Sequence, residues 1–240
     1  MRGLFRGLLK GVYKMTISDW IFSVFPYAAA SVMLIFSFMR WKYEGFTVSS
    51  LSSQFLEGRA LFWGSVSWHY AILAVFVWHL LPLFAPAAVL RWNSAPARLF
   101  SSEILALGAG ILTVFGIAVL CARRLASARI RAVTSRTDVV ILLLLLLQAV
   151  TGVATAVLYR WGSGWFAATL TPYLWSLARL SPESQRLAML PLLVKIHIAG
   201  AFTILALLPF SRLIHILVFP LPYLWRPAQL VIWRKSPGPQ

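Results

Sequence analysis

Acidic side chains are nearly missing from this sequence. There are six Asp and Glu in 240 residues, and charged residues of both signs make up only 12%. So little charge cannot cover the surface of a water-soluble domain, which excludes that class. Cysteine is scarcer still, at one residue, Cys121. A disulfide within the chain is thereby excluded, and so is a CxxCH haem-attachment motif. Cys121 reads most simply as a small packing residue. No Asp or Glu falls inside any of the long apolar runs, which counts against a carboxylate-lined transporter or proton channel.

Those runs are what the chain has in quantity. Hydrophobic residues make up 60% and the mean hydropathy is +0.80. Uncharged intervals run from Asp19 to Arg40, Arg59 to Arg91, Glu103 to Arg123, Asp138 to Arg160 and Lys195 to Arg212. A helix needs roughly 20 residues to cross the hydrocarbon core. The sequence therefore predicts five transmembrane helices, near 20–39, 65–84, 104–122, 139–159 and 190–213. Nothing is left over for a separate soluble domain, and there is no internal repeat.

The net charge of +16 does not argue for nucleic acid. The basic residues sit at helix ends and in short loops, where they orient the protein and meet lipid phosphates. One side would carry Arg91, Arg98, Arg160, Arg179, Arg186 and Lys195, six in all. The other would carry twelve, five of them at Arg123, Arg124, Arg129, Arg131 and Arg136. The positive-inside rule then places the N-terminus outside and the C-terminus in the cytoplasm. Arg2, Arg6, Lys10 and Lys14 disagree, because this topology puts them outside. The apolar stretch before Met15 is short and interrupted by Lys10, so it is a poor signal peptide. Residues 1–14 read as a basic N-terminal extension, with Met15 the natural start. The rival reading is an amphipathic surface segment.

The four histidines carry the chemistry. All lie in membrane-length segments, His69 and His79 in the second and His197 and His215 in the fifth. An imidazole at membrane depth costs free energy unless something satisfies it. One such ring is more often a packed, hydrogen-bonded residue or a proton relay. Four, paired on two helices, are the ligand supply for two b-type haems, each held by one His from each helix. Helices rise ~1.5 Å and turn ~100° per residue, so His197 and His215, 18 apart, share a face ~27 Å along. His69 and His79, 10 apart, are separated by ~15 Å. The two helices are antiparallel, which pairs His69 with His215 near the cytoplasmic side and His79 with His197 near the outer side. The mismatch of ~12 Å in rise must be absorbed by slanted ligation, tilt or a kink, and Pro209 is placed to supply the kink. Zinc is disfavoured, because the rings within each helix are too far apart to share an ion. Six-coordinate iron between two imidazoles leaves no open position and carries electrons. Haem propionates want cations, and Lys195, Arg212 and Arg124 lie where they could serve, against the plainer reading of snorkelling to the interface. The fold class is thus an all-α integral membrane protein, a five-transmembrane-helix bundle binding two b haems between helices II and V.

Several segments, in order and spacing, resemble the gamma chain, the cytochrome b subunit, of membrane-bound respiratory nitrate reductase. They are Phe25-Pro26-Tyr27, Arg40-Trp41-Lys42-Tyr43-Glu44-Gly45, Ser52-Ser53-Gln54, and His69 with His79. Further on come Arg129-Ile130-Arg131-Ala132 with Thr134 and Asp138, then Gln148 and the His197–His215 spacing. Pro209 to Ile216, Tyr223-Leu224 and Gln229-Leu230-Val231 complete the match. The resemblance runs from about Met15 to Val231, giving a five-helix dihaem domain over 15–231 and a cytoplasmic tail over 232–240. It implies a bacterial inner-membrane subunit that oxidises quinol at the outer side. Electrons would pass from the outer haem, on His79 and His197, to the inner haem, on His69 and His215. They would leave to an iron–sulfur beta subunit and a molybdopterin alpha subunit on the cytoplasmic side, where nitrate becomes nitrite. The nitrate chemistry itself belongs to another chain. The family's quinol site lies beside the outer haem, here His79, and uses a loop lysine whose matching position is Arg98, a departure. Arginine keeps the positive charge but will not release a proton. The alternatives are a gamma-like, quinone-reactive cytochrome of another redox complex (nitrite-oxidising, sulfite-reductase or heterodisulfide-type), a His-lined transporter or channel, and a passive anchor.

Overall fold

A computed structural model describes residues 16–43 and 59–217, without the side chains of residues 59–61. The 1–14 extension and Met15, the Ser52-Ser53-Gln54 segment, and everything after Leu217, including Tyr223-Leu224, Gln229-Leu230-Val231 and the 232–240 tail, lie outside the described residues.

Among the described residues, five helices are long and apolar enough to cross a membrane, Ile17–Tyr43, Phe62–Phe84, Pro96–Ala126, Arg136–Leu158 and Leu192–Phe210. We label the elements α1 (Ile17–Tyr43), α2 (Arg59–Phe84), α3 (Pro86–Trp92), α4 (Pro96–Ala126), α5 (Ala128–Ala132), α6 (Arg136–Leu158), α7 (Gly162–Trp165), α8 (Thr171–Ala178) and α9 (Leu192–Leu207). The end of the bundle at which α1 begins is called upper and the opposite end lower. The five predicted spans are all present, and α1, α2 and α4 run past the predicted limits at one or both ends. Charge ends an apolar run but does not end a helix. The stops come from local chemistry instead. Thr16 with Asp19, and Ser135 with Asp138, form reciprocal capping boxes at the starts of α1 and α6. Proline opens α3 and α4.

The side chains confirm the medium. Leu34, Ile35, Phe38, Leu73, Phe76, Ile104, Leu105, Leu143 and Leu147 are all exposed on the bundle's flanks. Such a surface suits lipid and not water. The helices lie side by side in the order α2, α4, α6, α9, α1. Small residues allow the close approaches. A Cβ on Gly116 of α4 would stand 2.6 Å from the backbone nitrogen of Trp68 on α2, so only glycine fits there.

The connection between α6 and α9, residues 159–191, is largely helical. α7, a π turn over Phe166–Leu170, α8 and a 3-10 turn over Ser184–Leu187 form a cap on the upper end. Tyr173, Leu177 and Leu187 of this cap are buried with Phe22, Val194 and Ile198. Polar bonds tie it down. Pro26 has no N–H for the carbonyl of Phe22, and Tyr173 Oη donates to that oxygen at 2.7 Å. Pro86 likewise cannot serve the carbonyl of Pro82, and Thr171 Oγ1 donates to it at 2.9 Å. Trp175 Nε1 donates to the next carbonyl, Leu83, at 3.0 Å. The last carbonyls of a membrane helix need donors, and α8 supplies them.

Paired histidines across the bundle

The fold brings the four imidazoles together as two pairs. The rings of His79 and His197 have centroids 6.4 Å apart at the upper end. Those of His69 and His215 are 6.3 Å apart toward the lower end. Both pairs join α2 to the α9 side of the bundle. α2 packs along α4, while α9 packs along α6 and α1, so α2 and α9 stand apart and the rings bridge them.

The rise mismatch is resolved in a way the sequence only hinted at. His215 is not on the same helix as His197. α9 stops at Leu207, continues as a 3-10 turn over Leu208–Phe210, and breaks at Ser211, whose backbone is extended. His215 sits on a separate 3-10 segment, Arg212–Ile216. The expectation of a shared helical face over five turns is therefore corrected. The straight part from His197 to Leu207 spans ten residues, the same as His69 to His79, so both rise ~15 Å. The eight residues from Leu207 to His215 pass through a 3-10 turn, the extended Ser211 and a second 3-10 segment rather than continuing the α-helix. Pro209, the residue singled out for a kink, lies in the break, where its missing N–H ends the α-helical ladder.

Hydrogen bonds fix the break and the lower pair. Arg40 of α1 donates through Nη1 to the carbonyls of Pro209 at 2.6 Å and Ser211 at 3.1 Å. Arg212 Nε lies 2.9 Å from the buried carboxylate of Asp138 on α6. His215 Nδ1 is 2.6 Å from the carbonyl of Arg212. His69 Nδ1 lies 2.7 Å from the carbonyl of Ser65, and His79 Nδ1 2.7 Å from that of Val75. A ring nitrogen facing a carbonyl must carry the proton, which leaves Nε2 with its lone pair free. His197 differs, since its Nδ1 lies 3.0 Å from Thr151 Oγ1 on α6.

These dimensions fit iron between two imidazoles. Two metal–nitrogen bonds of about 2 Å, with about 1 Å more from each nitrogen to its ring centre, set trans imidazole centroids about 6 Å apart. Both pairs have that separation, and at least three of the four rings direct Nδ1 to a backbone carbonyl and so away from the partner ring. His69 and His79 are also exposed despite their place on a membrane helix, so the protein by itself does not cover these polar rings.

The remaining site candidates are held as follows. Arg98 donates through Nε to the carbonyl of Trp92 at 2.9 Å and lies 5.3 Å from a Trp92 ring centroid. It thus stiffens the α3–α4 turn at the upper end. Lys195 Nζ donates to the carbonyl of Ala188 at 2.8 Å. Arg124 Nη1 donates to Thr134 Oγ1 at 3.0 Å, and Arg212 pairs with Asp138. The structure adds Thr151, Gly152 and Asp138 to the surroundings of the rings. The sequence signal for Thr151 and Gly152 is polar or small residues interrupting a leucine run, with Gln148, Thr151 and Gly152 closely following Leu142–Leu147, whereas Asp138 stands before that run.

Five apolar helices with two stacked histidine pairs between them define a multi-span helical membrane protein whose polar chemistry is concentrated in imidazole. A family model described as the nitrate reductase gamma subunit matches residues 18–234. The chain belongs to that family, and so is a membrane subunit of a nitrate reductase complex, an oxidoreductase. It is 32% identical over 225 residues to the respiratory nitrate reductase 1 gamma chain of Escherichia coli, covering 90% of this chain and 97% of that one. It is 29% identical over 218 residues to the nitrate reductase gamma chain of Bacillus subtilis, with 90% and 97% covered. The respiratory nitrate reductase 2 gamma chain of Escherichia coli is 29% identical over 229 residues.

Proposed function

We propose that this chain is the dihaem cytochrome b subunit of its complex and oxidises membrane quinol for nitrate reduction elsewhere in the assembly. The observation that carries the reading is the pair of ring separations, 6.4 Å for His79 with His197 and 6.3 Å for His69 with His215. His79 and His197 would hold one b haem at the upper, outer end, and His69 and His215 a second toward the lower, cytoplasmic end. Held between two imidazoles, such a group would supply reversible one-electron transfer.

The protein's own residues set the rest. The upper end receives quinol beside His79. Loss of two electrons and two protons leaves quinone, and the protons go to the outer side. The two electrons, with two protons taken up in the cytoplasm, convert nitrate to nitrite and water on the molybdopterin alpha subunit, reached through the iron–sulfur beta subunit. Arg98 supplies a fixed positive charge near the quinol oxygen and cannot act as the proton acceptor, because guanidinium does not deprotonate. Lys195 at the upper end, and Arg212 with Arg124 at the lower, offer cations to propionates. The lower end, bearing Arg123, Arg124, Arg129, Arg131 and Arg136, faces the cytoplasm of a bacterial inner membrane and the soluble subunits.

A pyridine haemochrome assay with a reduced-minus-oxidised spectrum on the purified subunit tests this directly. We expect two b haems per chain, reducible by a quinol analogue. His79→Ala or His197→Ala should remove the upper haem and stop quinol oxidation. His69→Ala or His215→Ala should remove the lower one and block transfer to the soluble subunits. A well-folded, haem-supplied preparation without haem would sink the reading, and single mutants that keep both haems would sink the pairing.

A further inference from the structure

His197 is anchored differently from the other three rings. His69, His79 and His215 each place Nδ1 against a backbone carbonyl of their own segment, three or four residues back. His197 reaches instead across to α6, where its Nδ1 lies 3.0 Å from the buried hydroxyl of Thr151. Thr151 Oγ1 also lies 2.8 Å from the carbonyl of Leu147 and donates its proton there. That leaves a hydroxyl lone pair to accept from the ring, so Nδ1 carries the proton and Nε2 keeps its lone pair, with the Gln148 amide nitrogen 3.4 Å from it. The same helix touches His197 at two further residues. A Cβ on Gly152 would stand 3.0 Å from His197 Cε1, so the ring lies on the α6 backbone. Gln148 Nε2 donates to the carbonyl of His197 at 3.0 Å.

We propose that Thr151 is a positioning residue for the upper haem, setting the orientation and electron donation of His197 from a neighbouring helix. The inference rests on the haem reading above. A ring whose Nδ1–H is hydrogen-bonded pushes more electron density to the metal and favours the oxidised form. Thr151→Val keeps the shape and removes the acceptor. The imidazole then donates less, and the upper centre becomes easier to reduce.

The test is a redox titration of the full-length chain in membranes, followed by the low-spin haem signals in electron paramagnetic resonance. The upper signal is identified by its loss in His79→Ala. In Thr151→Val we expect the upper signal to change its g-value and its midpoint to rise, with the lower signal unmoved. Loss of the upper haem alone supports the proposal equally. Thr151→Ser, which restores the acceptor, should return the upper centre to the parent values. Should Thr151→Val not assemble, Gly152→Ala presses on the same ring and should likewise move only the upper signal. An unchanged upper centre, equal shifts in both, or a Thr151→Ser that behaves like Thr151→Val would overturn the proposal. A parent protein without haem fails at the earlier step and overturns both readings together.

Discussion

Tyr173 shows how much a single side chain settles in this protein. It is fully buried, and its hydroxyl takes the carbonyl that Pro26 leaves without a donor at Phe22. Burial pushes its phenol above the ordinary tyrosine range, so it stays protonated and donating. Tyr173→Phe leaves that carbonyl buried and unpaired, which should cost about 1–3 kcal/mol. Thermal unfolding in detergent would read this as a lower midpoint, with unchanged helical content at room temperature. The pH dependence follows from the raised value. The contribution is intact below about pH 10, the ordinary tyrosine pKa, and is lost as pH rises beyond it, because only the unfolded chain ionises easily. The parent protein should therefore lose more stability at alkaline pH than the Tyr173→Phe variant. Pro26 was visible in the sequence as a residue without a backbone donor, but the side chain that replaces it was not. Nothing local marks Tyr173, 147 positions away, as the donor.

At the scale of the element, the break after α9 decides where His215 goes. Three side chains or caps hold it, namely Arg40 on the carbonyls of Pro209 and Ser211, the Arg212–Asp138 ion pair, and the Ser211 hydroxyl accepting from the amide of Leu213. Asp138 is buried while Arg212 is half-buried, and Asp138 also closes the capping box of α6. Asp138→Asn should weaken the segment by about 1–3 kcal/mol, since an exposed pair would give less and a fully buried one more. Faster hydrogen exchange at amides 211–217, with those of α9 unaffected, would check it. An equal rise in exchange along α9 would show that the break and the helix open as one unit, against the separate clamp described here. The 18-residue spacing of His197 and His215 pointed to a regular five-turn helix. Pro209 signalled the interruption, but the amount of chain it consumes depends on Arg40, supplied by α1.

For the whole molecule, the arginine distribution predicts the orientation. In a Cys121→Ala background, a cysteine placed at Glu183 in the upper cap should react with an impermeant thiol reagent in intact cells. One placed at Arg131, in α5, should react only after the membrane is opened. The reverse pattern would overturn the outward assignment of the upper end. The number of spans and their positions to within several residues could be read directly, because hydrophobic length is a local quantity; the facing histidines followed from the antiparallel direction of the second and fifth spans, not from helical rise. The upper cap could not be read, because residues 159–191 mix aromatics, proline and charge with no sustained period.

By itself the sequence determined that this chain lies in a membrane, crosses it five times and carries imidazoles at two depths, since each of those follows from composition and spacing along one segment. Only the tertiary structure decided that His215 leaves the last helix, that Thr151 and not a backbone carbonyl meets His197, and that residues 171–175 serve the stranded carbonyls of α1 and α2. Those facts are hydrogen bonds between distant parts of the chain. A donor's partner is chosen by packing in three dimensions, and no periodicity along the sequence encodes it.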